Sequence, residues 1–362
     1  MFRHSASISH PKPRKGRGAT GNPEGRFEPM ARVACDDGWD RGDEQIPPLR
    51  TSVTDEHAKS IIARNDSPDV PFTQSINPYR GCEHGCVYCY ARPSHAYLNL
   101  SPGLDFETRL FAKVNAAELL RAELGRPGFV CDAISLGANT DPYQPIEREY
   151  RITRAILQVL AECHHPVAIV TKNAMVERDI DLLAPMARKN LVRVFLSVAT
   201  LDHDVSRRME PRTSAPERRL LAIRRLAAAG IPTGVIVGPV VPFVTDHAIE
   251  NVLQAAAEAG ATFADYVLLR LPFEVKELFK AWLDAHFPLK AAHVMSRVRE
   301  MRAGRENDPE FGTRMTGTGH FAELLSRRFE LACRRLELGR SRAPLDTTQF
   351  RPPPSTPQLE LF

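Results

Sequence analysis

The sequence predicts an α/β fold in which a parallel sheet curls into a full or partial barrel. Short β-rich runs alternate with amphipathic helical patterns through six β/α units, and right-handed crossovers allow such a sheet to curl. The length of 362 residues suits one large domain with tails, because α/β barrels spend more than about 200 residues on a single core. Both ends depart from the alternation. Residues 1–50 are rich in Pro, Gly and charge, with the basic run Lys12-Pro-Arg-Lys-Gly-Arg17, and read as a mostly disordered, solvated tail. Residues 51–74 form a lead-in segment, and the core is expected over 75–320.

Within that core an extended run, Ser75-Ile-Asn77, comes first. A helix over 115–124 follows, with Asn115 as N-cap, Glu118 three residues on and Gly125 as stop. Strand-like Ala133-Ile-Ser-Leu136 leads to a helix over 153–162, then to Val167-Ala-Ile-Val170. Ile180, Leu182, Leu183 and Met186 mark the apolar side of the third helix, and 192–198 is the fourth strand. A helix over 216–229 ends at Gly230, followed by a strand over 233–237, a helix over 246–259, a strand over 266–269 and a helix over 275–286. A C-terminal helix is expected over 321–340. Beyond it, Pro352-Pro-Pro354 and Pro357 remove the N–H donors regular structure needs, so 341–362 reads as an extended tail.

Ligands of such a fold sit at the C-terminal ends of the strands. Attention therefore falls on Asn139, Thr140 and Asp141 after the second strand, Thr171 and Lys172 after the third, and Ser197 to Thr200 ending the fourth. Glu147 and Glu149 beside Arg148 and Arg151 read as a solvated charge face.

Composition narrows the function classes. The formal charge of +4 makes the chain mildly basic, which permits nucleic-acid contact without arguing for it. No stretch is long and apolar enough to span a bilayer, and the start lacks the apolar core of a signal peptide, so a cytoplasmic protein with no membrane partner is expected. Seven cysteines, three of them packed into eight residues, do not resemble a secreted disulfide framework.

Those three lie in Gly81-Cys-Glu-His-Gly-Cys-Val-Tyr-Cys-Tyr90, at the spacing C-x3-C-x2-C, close enough for one loop to wrap a single centre. A cubane held by the thiolates of Cys82, Cys86 and Cys89 leaves its fourth iron open to an exogenous chelate, as a radical-forming site requires. Gly81 and Gly85 suit a backbone bent closely around such a cluster. The rival reading is a zinc site with His84 or His95 as fourth ligand, which would make the chain a non-catalytic zinc or Fe–S adaptor for nucleic acid.

Cys82-x3-Cys86-x-Tyr88-Cys89 resembles the C-x3-C-x-aromatic-C signature of the radical SAM superfamily. The resemblance implies a partial (β/α)6 barrel, a [4Fe–4S] cluster on the three cysteines, and S-adenosylmethionine (AdoMet) cleaved reductively to a 5′-deoxyadenosyl radical. It also implies an electron donor of the flavodoxin or ferredoxin type. Tyr88 would lie against adenine. A finer resemblance, to a bacterial branch related to spore photoproduct lyase, rests on Asn77-Pro-Tyr-Arg-Gly-Cys82, Asn139-Thr-Asp-Pro-Tyr-Gln-Pro-Ile-Glu147, Thr171-Lys172 and Glu210-Pro-Arg212. It implies AdoMet contacts from Thr140, Asp141, Lys172 and Ser197, and DNA as a partner. One position departs: where the lyase has its hydrogen-donating cysteine, this chain has Ala138. Finally, Gln358-Leu-Glu-Leu-Phe362 resembles the peptide by which bacterial DNA polymerases and repair proteins dock on the sliding clamp, with Glu360 in place of the usual Ser or Asp.

Overall fold

The computed structural model of the chain describes residues 14–27, 49–339 and 343–354. Its strands are β1 (Ser52–Glu56), β2 (Ile62–Arg64), β3 (Gln74–Ile76), β4 (Tyr79–Arg80), β5 (Arg109–Lys113), β6 (Ile134–Leu136), β7 (Val167–Thr171), β8 (Val192–Ser197), β9 (Thr233–Val240) and β10 (Phe263–Leu268). Seven of them form one sheet in the order β2-β3-β6-β7-β8-β9-β10, in which all pairs from β3 to β10 are parallel and β2 is antiparallel to β3. Each parallel strand lies beside its predecessor in the chain. Crossovers of one hand then carry the intervening helices to a common face, and the sheet curls into a partial (β/α)6 barrel with β2 and β10 at its edges.

Sequence patterning and structure agree closely for the five crossover helices, which span Ala116–Leu124, Ile152–Glu162, Ile180–Ala187, Pro216–Ala228 and Ile249–Glu258, and for Val275–His286, which follows β10. The reason is amphipathicity: Ile156, Leu157 and Leu160, for example, form one fully buried stripe of the second of these helices. A sixteen-residue helix, His320–Arg335, ends the core.

The main apolar cluster fills the space between sheet and helices and contains Leu120, Ile134, Ile169, Leu183, Val194, Leu226, Val235, Leu253 and Phe329. A second cluster, built by Val87, Met209, Leu269, Leu271, Phe279, Trp282 and Val298, adjoins the cysteine loop. No described helix is long and apolar enough to cross a membrane.

Two local expectations are corrected. Asn115 makes no side-chain cap. Instead its amide clamps the lead-in segment, accepting from Ala58 N and donating to Ala58 O, both at 3.0 Å. That segment is itself structured: β1 pairs with β5, and β5 with β4, in a second sheet of three strands. Glu147 is not on a solvated face. It is fully buried, accepts from the Tyr79 hydroxyl and pairs with Arg178 at 2.7 Å, whereas Arg148 and Glu149 are exposed as expected.

Both tails also contain docked portions. In the segment 14–27, Gly18, Ala19 and Thr20 are buried, and the backbone N–H groups of Gly18 and Ala19 donate to the Glu107 carboxylate at 3.0 and 2.8 Å. At the other end, residues 343–354 strap across the residues that lead into β7 and β8. Asp346 N donates to Asn190 O at 3.0 Å, Arg351 N donates to Cys163 O at 2.8 Å, and the Phe350 ring packs against Phe129 and His165 with centroids 5.5 and 5.4 Å away. The sequence sees only Pro and charge in these segments; their partners lie far away in the chain. The clamp-like peptide Gln358-Leu-Glu-Leu-Phe362 lies outside the described residues.

Candidate active site

The cysteine loop, residues 81–90, hangs between β4 and a short 3-10 helix, Arg92–Leu98. Gly81 and Gly85 open its bends with φ of 74° and 68°. A Cβ on Gly81 would meet Leu110 at 2.6 Å and the Phe106 carbonyl at 2.9 Å. Anchors arrive from several elements: Cys82 N donates to Phe106 O at 2.9 Å, Val87 N to Met209 O at 3.1 Å, and Glu83 N to Gln144 Oε1 at 2.9 Å. Val87 is fully buried in the second apolar cluster, which contributes about 1.5–3 kcal/mol to holding the loop. Beneath the loop, the fully buried Arg92 donates to Cys86 O at 2.9 Å and to Glu107 at 2.5 Å.

Burial pushes all three thiols above their ordinary range. Cys82 and Cys86 are each 7% exposed, and their charged forms are further opposed by Asp141 and Glu210 respectively and by neighbouring thiols. Lys172 works in the other direction on Cys86 and Cys89. Such thiols stay protonated until a metal displaces the proton.

A mononuclear zinc site would need its donors about 2.3 Å or less from one point. Among the described residues no three His, Cys, Asp or Glu side chains converge in that way. Of the two histidines the sequence offers, His84 faces Asp141 at 3.4 Å through Nδ1 and Asn173 at 3.3 Å through Nε2, while His95 Nε2 meets Arg109 O at 2.9 Å and its buried Nδ1 has no hydrogen-bond partner. A cubane asks less, because each thiolate takes a different iron; three cysteines on one buried loop fit that donor set.

Beside the loop, at the ends of β7 and β8, lies a polar network. Lys172 Nζ donates to Ser197 Oγ at 2.7 Å, lies 3.9 Å from Glu210 Oε1 and 5.9 Å from the centre of the Tyr88 ring. The Tyr88 hydroxyl donates to Glu210, whose other oxygen pairs with buried Arg219 at 2.5 Å. Burial works to raise the Glu210 carboxyl, but Arg219, Lys172 and the Tyr88 hydroxyl outweigh it and hold the group below the usual carboxylate range.

The radical SAM superfamily model matches residues 76–256, half of the chain. The chain belongs to the radical SAM superfamily. It is 39% identical over 234 residues to an uncharacterized protein of Mycobacterium tuberculosis, covering 64% of this chain and 68% of that one. An uncharacterized protein of Methanocaldococcus jannaschii is 25% identical across 59% of this chain and 76% of its own. Among solved structures, spore photoproduct lyase complexed with dinucleoside spore photoproduct superimposes with a TM-score of 0.56 at 16% identity, covering 78% of this chain and 79% of the lyase. A lyase double mutant with bound AdoMet and the same dinucleoside gives 0.55 at 17% identity and the same coverage. At these identities the likeness is one of fold. Radical SAM membership makes the chain an enzyme and implies a [4Fe–4S] cluster and AdoMet.

Of the expected AdoMet-contacting residues, the structure brings Tyr88, Lys172 and Ser197 together beside the cysteine loop. Asp141 is adjacent but committed to the protein: one oxygen accepts from the Thr171 hydroxyl and the other from Lys172 N, each at 2.7 Å. Burial opposes its ionisation, yet His84 and these bonds keep its carboxyl low. The Thr140 hydroxyl is buried and donates to Tyr79 O at 2.9 Å, so it braces the strand that leads into the loop.

The sequence reading assigned no role to Glu210, Arg219, Gln144, Arg92 or Glu107. A signal existed for Arg219, which occupies the apolar stripe of its helix with Pro216, Ala222, Ile223 and Leu226. An arginine at a core-facing position is seldom buried without a partner. Glu210 and Gln144 lie in the Glu210-Pro-Arg212 and Asn139–Glu147 motifs that carry the finer resemblance, whereas nothing in the spacing points to Arg92 or Glu107.

Proposed function

We propose that the chain binds its [4Fe–4S] cluster through Cys82, Cys86 and Cys89, cleaves AdoMet beside it, and acts on DNA. When bound, the cluster supplies the electron that breaks the S–C5′ bond of AdoMet, giving methionine and the 5′-deoxyadenosyl radical. One observation carries this reading: the Lys172 side chain, held by Ser197 at 2.7 Å, lies 5.9 Å from the centre of the ring of Tyr88, the residue between Val87 and Cys89 in the cysteine loop. An ammonium there can pair with a methionyl carboxylate, Ser197 can orient polar groups of the same ligand, and the Tyr88 ring offers a face for adenine. The apolar cluster behind Val87 keeps water from this side of the loop.

The dinucleoside bound to the fold-related lyase supports DNA as substrate class. Ala138, which carries no thiol, argues for a different quench of the product radical, and a flavodoxin or ferredoxin fits as electron donor. After anaerobic reconstitution, dithionite and AdoMet should yield methionine and 5′-deoxyadenosine, with stimulation by DNA. Lys172→Ala should keep the iron and weaken AdoMet binding by about 1.5–3 kcal/mol. Absence of both products, or unchanged AdoMet affinity in the variant, would overturn the respective assignment.

A further inference from the structure

Two phenylalanines sit where bulky L side chains seldom go. Phe243, three residues past β9, and Phe273, five past β10, have φ of 61° and 49°. Both rings are exposed, by 38% and 59%, so core packing does not account for the strained backbone. Each instead carries a guanidinium on its face: Arg297 Cζ lies 5.9 Å from the Phe243 centroid and Arg26 Cζ lies 3.8 Å from that of Phe273.

The β10 side extends this pattern. Arg26 also faces Tyr97 at 5.8 Å, and the rings of Tyr97 and Phe27, 71% and 51% exposed, lie 5.1 Å apart. Two residues past β10, Arg270 lies over the ring of Tyr90, the residue that follows Cys89, at 5.5 Å. Its Nε is buried without a hydrogen-bond partner, and among the described residues no carboxylate lies within ion-pair distance of it. Its neighbour Arg314 is already paired with Asp69. The C-terminal side of β10 therefore presents exposed ring faces and one unneutralised cation next to the cysteine loop.

We propose that this rim binds single-stranded nucleic acid, with unstacked bases against Phe273, Tyr97 and Phe27 and a backbone phosphate at Arg270. Exposed rings interleaved with arginines match the chemistry of single-strand sites, where base stacking supplies affinity and cations track the phosphates. A paired, stacked duplex hides the base faces that these rings would meet. The proposal rests on the nucleic-acid reading above and names the surface and the strandedness.

The test is fluorescence anisotropy of a labelled oligothymidylate, and of a duplex of equal length, with the full chain at low and at physiological salt. The single strand should bind more tightly than the duplex, with affinity falling as salt rises. Phe273→Gly and Tyr97→Ala should each weaken it by about fivefold or more. Glycine adopts positive φ freely, so Phe273→Gly should melt no lower than the wild type while binding worse, a combination that a purely structural Phe would not give. AdoMet cleavage without nucleic acid should be unchanged in both variants. Equal binding by the variants, or preference for duplex, overturns the rim while leaving DNA as substrate class. Failure of any nucleic acid to bind overturns both, and AdoMet cleavage alone then reports on the radical chemistry.

Discussion

Glu210 holds Tyr88, Lys172 and Arg219 around one buried carboxylate, and the arrangement lives or fails on that charge. Removing one partner of a buried pair leaves the other charge unsolvated, which costs about 3–5 kcal/mol. Glu210→Gln is therefore expected to lower the urea-unfolding free energy by about 3 kcal/mol and to loosen the Tyr88 ring. A loss below about 1 kcal/mol would mean that the bonds Arg219 already makes to Ser197 O and Ser214 O, each at 2.7 Å, suffice to hold its charge. At this scale the three cysteines were legible as one group because they crowd into a single loop. Their supports were not, since Glu210 and Arg92 meet the loop only through folded neighbours.

Among the elements, the N-terminal segment is the largest departure from the sequence reading. Gly18 crosses the cysteine loop so closely that an added Cβ would lie 1.7 Å from the Gly85 carbonyl oxygen. Gly18→Ala should cost at least the ~1–3 kcal/mol typical of overpacking, because backbone rather than a flexible side chain stands in the way. Lifting the segment would also unpair Glu107 from two N–H groups, leaving Arg92 as its partner beneath the loop. Faster alkylation of the apo-protein's cysteines in the variant is the expected readout; an unchanged rate would show that the segment does not shield them. The crossover helices, by contrast, were legible to within a few residues, because an apolar stripe is a local property of the chain.

For the molecule as a whole, His165 links the C-terminal strap to global stability. Fully buried between Phe129 and Phe350, it titrates at about 4 rather than the ordinary 6.5, chiefly because burial penalises its charged form. The folded-state value is the lower one, so the unfolded chain takes up the proton first as pH falls. Stability is then full above about 6.5 and declines by up to about 3 kcal/mol on descending to about 4. His165→Phe should remove that part of the pH dependence, seen as a flatter melting temperature between pH 7 and 4.5. Equal slopes for variant and wild type would assign the acid sensitivity to other groups.

The chain's local chemistry alone determined the six β/α units, their parallel order and the C-x3-C-x2-C loop. Periodicity and ligand spacing are written within a few residues of each other. The tertiary structure decided which polar residues the loop meets. It turned Thr140 and Asp141 inward to brace the frame, drew Lys172 and Ser197 to Tyr88, and folded portions of both tails onto the barrel. Those contacts join residues tens to more than a hundred positions apart, where burial and hydrogen-bond satisfaction choose the partner and no short-range pattern records it.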